Sequence, residues 1–127
     1  MKKLLIVLGC MLLLSSCAAP QKAAEYIKIT AEEAKQMIDG DQSILIVDVR
    51  TKEEYDQGHI KSAILLPNTE IKNQAAISLP DKDATILVYC RSGNRSKSAS
   101  LELIQMGYTK VHDFGGIIDW SYDVVTE

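Results

Sequence analysis

Short apolar runs alternate with stretches of helical period along most of this chain. Ile27 to Ile29 is a first brief strand. Thr30 followed by Glu33 forms a capping box, and the spacing predicts a helix from there through Ile38, closed by Gly40. Ile44 to Val47 is an uninterrupted apolar run, as a strand covered on both faces requires. Thr51 and Glu54 repeat the capping box over a short helix ended by Gly58. Ala63 to Leu66 is a further strand stopped by Pro67, and Asn68 caps a helix predicted to reach Gln74. Leu79 to Asp83 reads as a loop, Thr85 to Tyr89 as the main strand, and Lys97 to Met106 as a helix stopped by Gly107. Lys110 to His112 is the last strand, and Gly115-Gly116 leads into an apolar helix over Ile117 to Tyr122. Alternating β and α at this spacing implies an α/β domain, an open and mainly parallel sheet with helices on both faces.

The first residues follow a different pattern. Lys2 and Lys3 precede an apolar run from Leu4 to Leu14. That run is too short to span a bilayer, which takes about 20 residues, but suits the core of a signal peptide. It ends in Leu14-Ser15-Ser16-Cys17, which resembles the lipobox of bacterial lipoproteins, where the cysteine is acylated and becomes the new N-terminus. An ordinary cleaved signal with an incidental cysteine is the plainer alternative. The expected organisation is therefore a signal over residues 1–16, a lipidated tether over 17–25 and one domain over 26–127, exported and anchored to a bacterial membrane, facing the periplasm or the outer cell surface. Processing would remove two lysines from a chain whose net charge is already −3. An acidic chain is a poor partner for nucleic acid. With Cys10 lost and Cys17 acylated, Cys90 is left as the one free thiol, and an exported protein with a single unpaired cysteine is not using it as a staple.

Cys90 ends the main strand, and Arg91-Ser92-Gly93-Asn94-Arg95-Ser96 follows before the helix. Gly93 and Asn94 tolerate positive φ, so the loop can curl with its N–H groups inward as an anion nest. The next helix points the positive end of its dipole to the same place. Arg91 and Arg95 bracket the loop with two permanent cations. Comparable settings lower a cysteine pKa from about 8.5 into roughly the 3.5–7.5 range. A lone cysteine after an apolar run is most often packing material, but two arginines and four short residues are odd wall material. The reading is a nucleophile in an anion cradle.

In parallel sheets, ligands sit beyond the carboxyl ends of the strands. Asp48 and Arg50 follow the Ile44–Val47 strand and share that rim with Cys90. A carboxylate next to the sulfur would oppose its ionisation, so Asp48 is expected to orient the loop or pair with an arginine. Arg50 and Glu54, four apart, are expected to pair across a helix start. His59 is expected in turn hydrogen bonding, His112 at the end of an edge-like strand, and Trp120 in the core. Two histidines and one free thiol offer no metal-ligand spacing.

Asp48-Val49-Arg50, Glu53-Glu54-Tyr55 with Gly58-His59-Ile60 and Ala63, Tyr89 through Ser96, and Gly115-Gly116 with Trp120 together resemble a single-domain rhodanese, in the family's order. The resemblance spans Tyr26 to the C-terminus. It implies a five-stranded sheet and a ping-pong sulfurtransferase in which Cys90 carries sulfane sulfur as a persulfide. It also implies that Arg91, Ser92, Gly93, Asn94 and Arg95 bind the anionic donor, with Asp48, Arg50 and Ser96 in support. Lys61-Ser62 departs from the proline and glycine more usual there. The chemistry needs a soft nucleophile and a cationic cradle, with no cofactor, metal or general base. Thiosulfate is the expected donor, a thiol or cyanide the acceptor, and the protein a monomer. A non-catalytic binding or sulfur-carrier module is the alternative. A phosphatase or arsenate reductase fits less well, because four residues separate Cys90 from Arg95 where those enzymes have five, and Tyr89 stands in place of their histidine.

Overall fold

The computed structural model describes residues 24–127, so the expected signal and Cys17 lie outside it. Strand β1 (Ile27–Lys28) is followed by helix α1 (Ala31–Gly40), β2 (Leu45–Asp48), α2 (Lys52–Gln57) and β3 (Ile64–Leu65). A 3₁₀ turn at Asn68–Glu70 enters α3 (Ile71–Ser78), and β4 (Thr85–Cys90), α4 (Asn94–Gln105) and β5 (Lys110–Gly116) complete the domain. The five strands lie in the order β1-β5-β4-β2-β3, all pairs parallel. This is the expected open sheet. Among the described residues no helix is long and apolar enough to cross a membrane.

Residue alternation along β4 divides the core in two. Ile86, Val88 and Cys90 face one side with Ile71, Ala75, Ala99 and Leu103, from α3 and α4. Leu87 and Tyr89 face the other with Ala34, Ile60 and Phe114, and with Met37 and Tyr55 from α1 and α2. Burying a strand on both faces explains why its sequence is an unbroken apolar run. Thr30 closes the full reciprocal capping box on Glu33. Thr51 caps α2 through the Glu54 N–H, but the Glu54 carboxylate is used elsewhere.

Several boundaries and two placements are corrected. Helix α4 begins at Asn94, three residues earlier than expected, so only Gly93 in this loop takes positive φ, at 111°. The Asn68 helix is a 3₁₀ turn with no side-chain cap, and the α-helix proper starts at Ile71, which is wholly buried. β5 runs on to Gly116, and its place between β1 and β4 makes His112 an interior-strand residue, not an edge one. The expected C-terminal helix reduces to a 3₁₀ turn at Ile117–Asp119. Trp120 is partly buried against Phe114, with ring centroids 5.8 Å apart. Ser62, where the resembling family more often has glycine, does sit at a positive φ of 69°.

Candidate active site

β4 delivers Cys90 to the carboxyl rim of the sheet with only Arg91, Ser92 and Gly93 between it and α4. Such a tight passage needs backbone freedom at Gly93, and its N–H donates to Cys90 Sγ at 3.0 Å. The neighbouring strand must also approach closely. A Cβ on Gly116, which pairs with Cys90, would stand 2.1 Å from the Arg91 carbonyl oxygen, so no larger residue fits without moving the loop. The Arg91 carbonyl in turn accepts from the Ile118 N–H at 3.3 Å. The role of Gly116 beside Cys90 was missed in the sequence, where its glycine pair reads as a helix lead-in and as one motif of the family resemblance, with no part in the site.

The sulfur is buried, with Cys90 1% exposed, and is the one free thiol among the described residues. Burial on its own pushes the thiol pKa up. The Ser96 hydroxyl and the N–H groups of Ser96, Gly93 and Ser92 outweigh it, and the thiol lies below its ordinary value. All these donors stand at the head of α4, a twelve-residue helix whose dipole adds in the same sense. Ser96 is fully buried and its single hydroxyl proton goes to the Gly93 carbonyl at 3.0 Å. Turning that proton to a thiolate requires only rotation about one bond.

The expected cations divide. Arg91 is exposed on the rim, as are Ser92 and Asn94. Arg95 instead gives Nη1 and Nη2 to the two Glu54 carboxylate oxygens, each at 2.9 Å. Both side chains are about a third exposed. That bidentate bond holds Glu54 below the usual carboxylate range and raises Arg95, with the Cys90 charge adding to the latter. Arg95 therefore supplies charge beside the sulfur and, in this structure, has its planar fork committed. The expected Arg50–Glu54 pair does not form.

Arg50 turns to Asp48. Its Nε reaches both Asp48 oxygens, at 3.0 and 3.1 Å, and its Nη2 lies 2.7 Å from Oδ2 and 2.7 Å from the Gly58 carbonyl. Asp48 also accepts the Arg50 N–H at 2.9 Å. Of the two roles expected for Asp48, it takes the pairing with an arginine, and no loop N–H is bonded to it. His59 is buried, stacked on Tyr55 with centroids 3.6 Å apart, and its Nδ1 lies 2.9 Å from the Tyr55 carbonyl. This is the turn bonding expected of it.

Comparison with known proteins agrees with this geometry. The rhodanese-like domain family matches residues 30–123. The thiosulfate sulfurtransferase PspE of Escherichia coli is 44% identical over 73 residues, which are 58% of this chain and 70% of that protein. The tRNA uridine(34) hydroxylase of Photorhabdus laumondii is 36% identical over 80% of this chain, which spans only 30% of the hydroxylase. The structure of a rhodanese with anions from E. coli superposes with a TM-score of 0.62 at 39% identity, over 66% of this chain and 99% of that one.

Proposed function

Because this chain belongs to the rhodanese-like domain family, we propose that it is a sulfurtransferase that carries sulfane sulfur on Cys90. The supporting observation is the ring of donors around Sγ, led by the Gly93 N–H at 3.0 Å. A thiolate held there attacks the outer sulfur of thiosulfate. The new S–S bond forms as the old one breaks, and sulfite leaves with the electron pair. The persulfide anion takes the place of the thiolate under the same N–H groups, so no proton has to move. An acceptor thiolate or cyanide then attacks the terminal sulfur and releases Cys90 as it began. Arg91, exposed and uncommitted, meets the dianion together with the N–H groups of Ser92, Gly93 and Asn94, while Arg95 lowers the energy of negative charge at the sulfur. PspE, named for the thiosulfate reaction, supports that donor. Asp48 and Arg50 hold the rim and touch no reacting atom.

We propose further, from the signal-like run and the lipobox resemblance at Leu14-Ser15-Ser16-Cys17 alone, that the domain lies outside the cytoplasmic membrane with residues 1–16 removed and Cys17 acylated. Intact mass of the chain expressed from its full sequence and extracted with detergent tests both parts. The expected product lacks residues 1–16, carries acyl chains on Cys17, and gains one sulfur from thiosulfate that cyanide removes. Cys90→Ser gains none. An unchanged wild-type mass at saturating thiosulfate would overturn the sulfurtransferase, and an unacylated chain recovered without detergent would overturn the anchor.

A further inference from the structure

β1 contributes a residue to this site that no motif marks. Lys28 lies opposite Asp113 of β5, and its ammonium reaches across β5 to the loop. Its Nζ is 3.5 Å from where a Cβ on Gly115 would stand and 3.8 Å from that position on Gly93. Gly93 is the residue whose N–H bonds Cys90 Sγ. Two residues without side chains thus leave a bare backbone floor, on which a cation rests beside the sulfur ring. Lys28 is exposed and, among the described residues, is in no salt bridge.

The surroundings make that charge decisive. Lys28 lines an open groove of about 500 Å³ with Ser92 and Gly115, so the groove runs up to the loop itself. Glu32, Glu33 and Asp119 line it too, and the Glu33 carboxylate is turned to the Thr30 N–H at 2.7 Å. Without Lys28 the charged side chains lining this approach would all be carboxylates, which repel a dianion. With it, the ammonium stands where the groove meets the cradle, on the side away from Arg95. We infer that Lys28 is a specificity-determining residue, holding the sulfonate oxygens of the donor while its outer, sulfane sulfur meets Cys90; this rests on the sulfurtransferase reading. An ammonium suits the task, being a compact charge that grips any oxyanion without a fixed geometry.

Alkylation of Cys90 by iodoacetate, an anion, and by neutral iodoacetamide separates this inference from the reaction itself. Lys28→Met should slow iodoacetate about fivefold at low salt and leave iodoacetamide within about twofold, the difference shrinking as salt is raised. Lys28→Arg should restore the wild-type ratio, and Lys28→Glu should lower it further. For thiosulfate turnover, Lys28→Met should raise KM about fivefold with kcat within about twofold. An unchanged reagent ratio in Lys28→Met, or an equal slowing of both reagents, would overturn the inference. A wild type that selects iodoacetate in a Lys28-dependent way but takes no sulfur from thiosulfate would support Lys28 as the anion-selecting residue and overturn the proposed reaction.

Discussion

Two adjacent strands end on the same rim of the sheet and use it in opposite ways. β2 and β4 pair in parallel register with Asp48 opposite Tyr89, and each hands a polar group to its carboxyl end. At the end of β2, Asp48 is fully buried and Arg50 is 5% exposed. The carboxylate accepts from the Arg50 N–H, Nε and Nη2, and the guanidinium also holds the Gly58 carbonyl. Each oxygen of the buried carboxylate meets an Arg50 donor, so the charge of the pair is balanced within the cluster itself. At the end of β4 the balance is uneven. Several donors converge on one sulfur, a weak acceptor until it loses its proton or gains a second sulfur. A satisfied polar cluster is structure, while donors waiting for charge are a site.

The largest effect should come from breaking the satisfied cluster. Removing one partner of a buried ion pair leaves the other unpaired and costs about 3–5 kcal/mol. Asp48→Ala should lose that much in urea unfolding, a large share of the roughly 5–15 kcal/mol a domain has, and Asp48→Asn should lose less because one acceptor oxygen remains. In whatever fraction stays folded at low temperature, iodoacetamide should still modify Cys90 within about threefold of the wild-type rate. A stable Asp48→Ala protein with an unreactive thiol would reverse the comparison and move Asp48 into the chemistry.

The uneven cluster should respond the other way, in reactivity more than stability. Ser96→Ala removes one of the groups that draw the thiol below its ordinary value, so the midpoint of the alkylation pH profile should move up. A hydrogen bond to a charged group is worth about 1.5–3 kcal/mol, so the rate near pH 6 should fall about tenfold, while at pH 9 the two proteins converge. Unfolding should shift by about 1 kcal/mol or less, since the lost bond to Gly93 is a neutral one. An unmoved midpoint would mean that the N–H groups and the helix alone set the thiol.

The strands, their parallel pairing and the cysteine loop were legible because local chemistry fixes them. Unbroken apolar runs such as Ile86 to Tyr89 mark two-sided burial, and Thr30 with Glu33 marks a helix start. The errors lie where partners come from far along the chain. Glu54 stands four places from Arg50, a spacing that suggests a helix-face pair, yet its partner is Arg95, 41 residues away. Lys28 is equally silent in sequence, because its neighbours Gly93 and Gly115 come from two other segments. The C-terminal apolar stretch misled for a related reason. Ile117 and Trp120 turn onto the Phe114 face of the core, and the backbone is already extended at Trp120, so the helix stops after a single 3₁₀ turn.

Between the buried pair and the open cradle stands a third case, the Glu54–Arg95 pair, part exposed and part of the loop. Its contribution to stability is of the partly solvated kind, about 0.2–1 kcal/mol. Glu54 is held below the usual carboxylate range by Arg95. A depressed carboxylate stabilises the fold above its unfolded value, and that contribution is lost as pH falls through the depressed folded value. Wild type should therefore exceed Glu54→Gln by less than about 1 kcal/mol at pH 7, with the gap closing under acid. The functional change should be small and of opposite sign. Releasing the Arg95 fork beside the sulfur adds a free cation at the rim, so KM for thiosulfate should fall about twofold in Glu54→Gln at low salt. A rise in KM would show that Glu54 aims Arg95 at the donor, and that this pair belongs with the cradle of β4 and not with the closed cluster of β2.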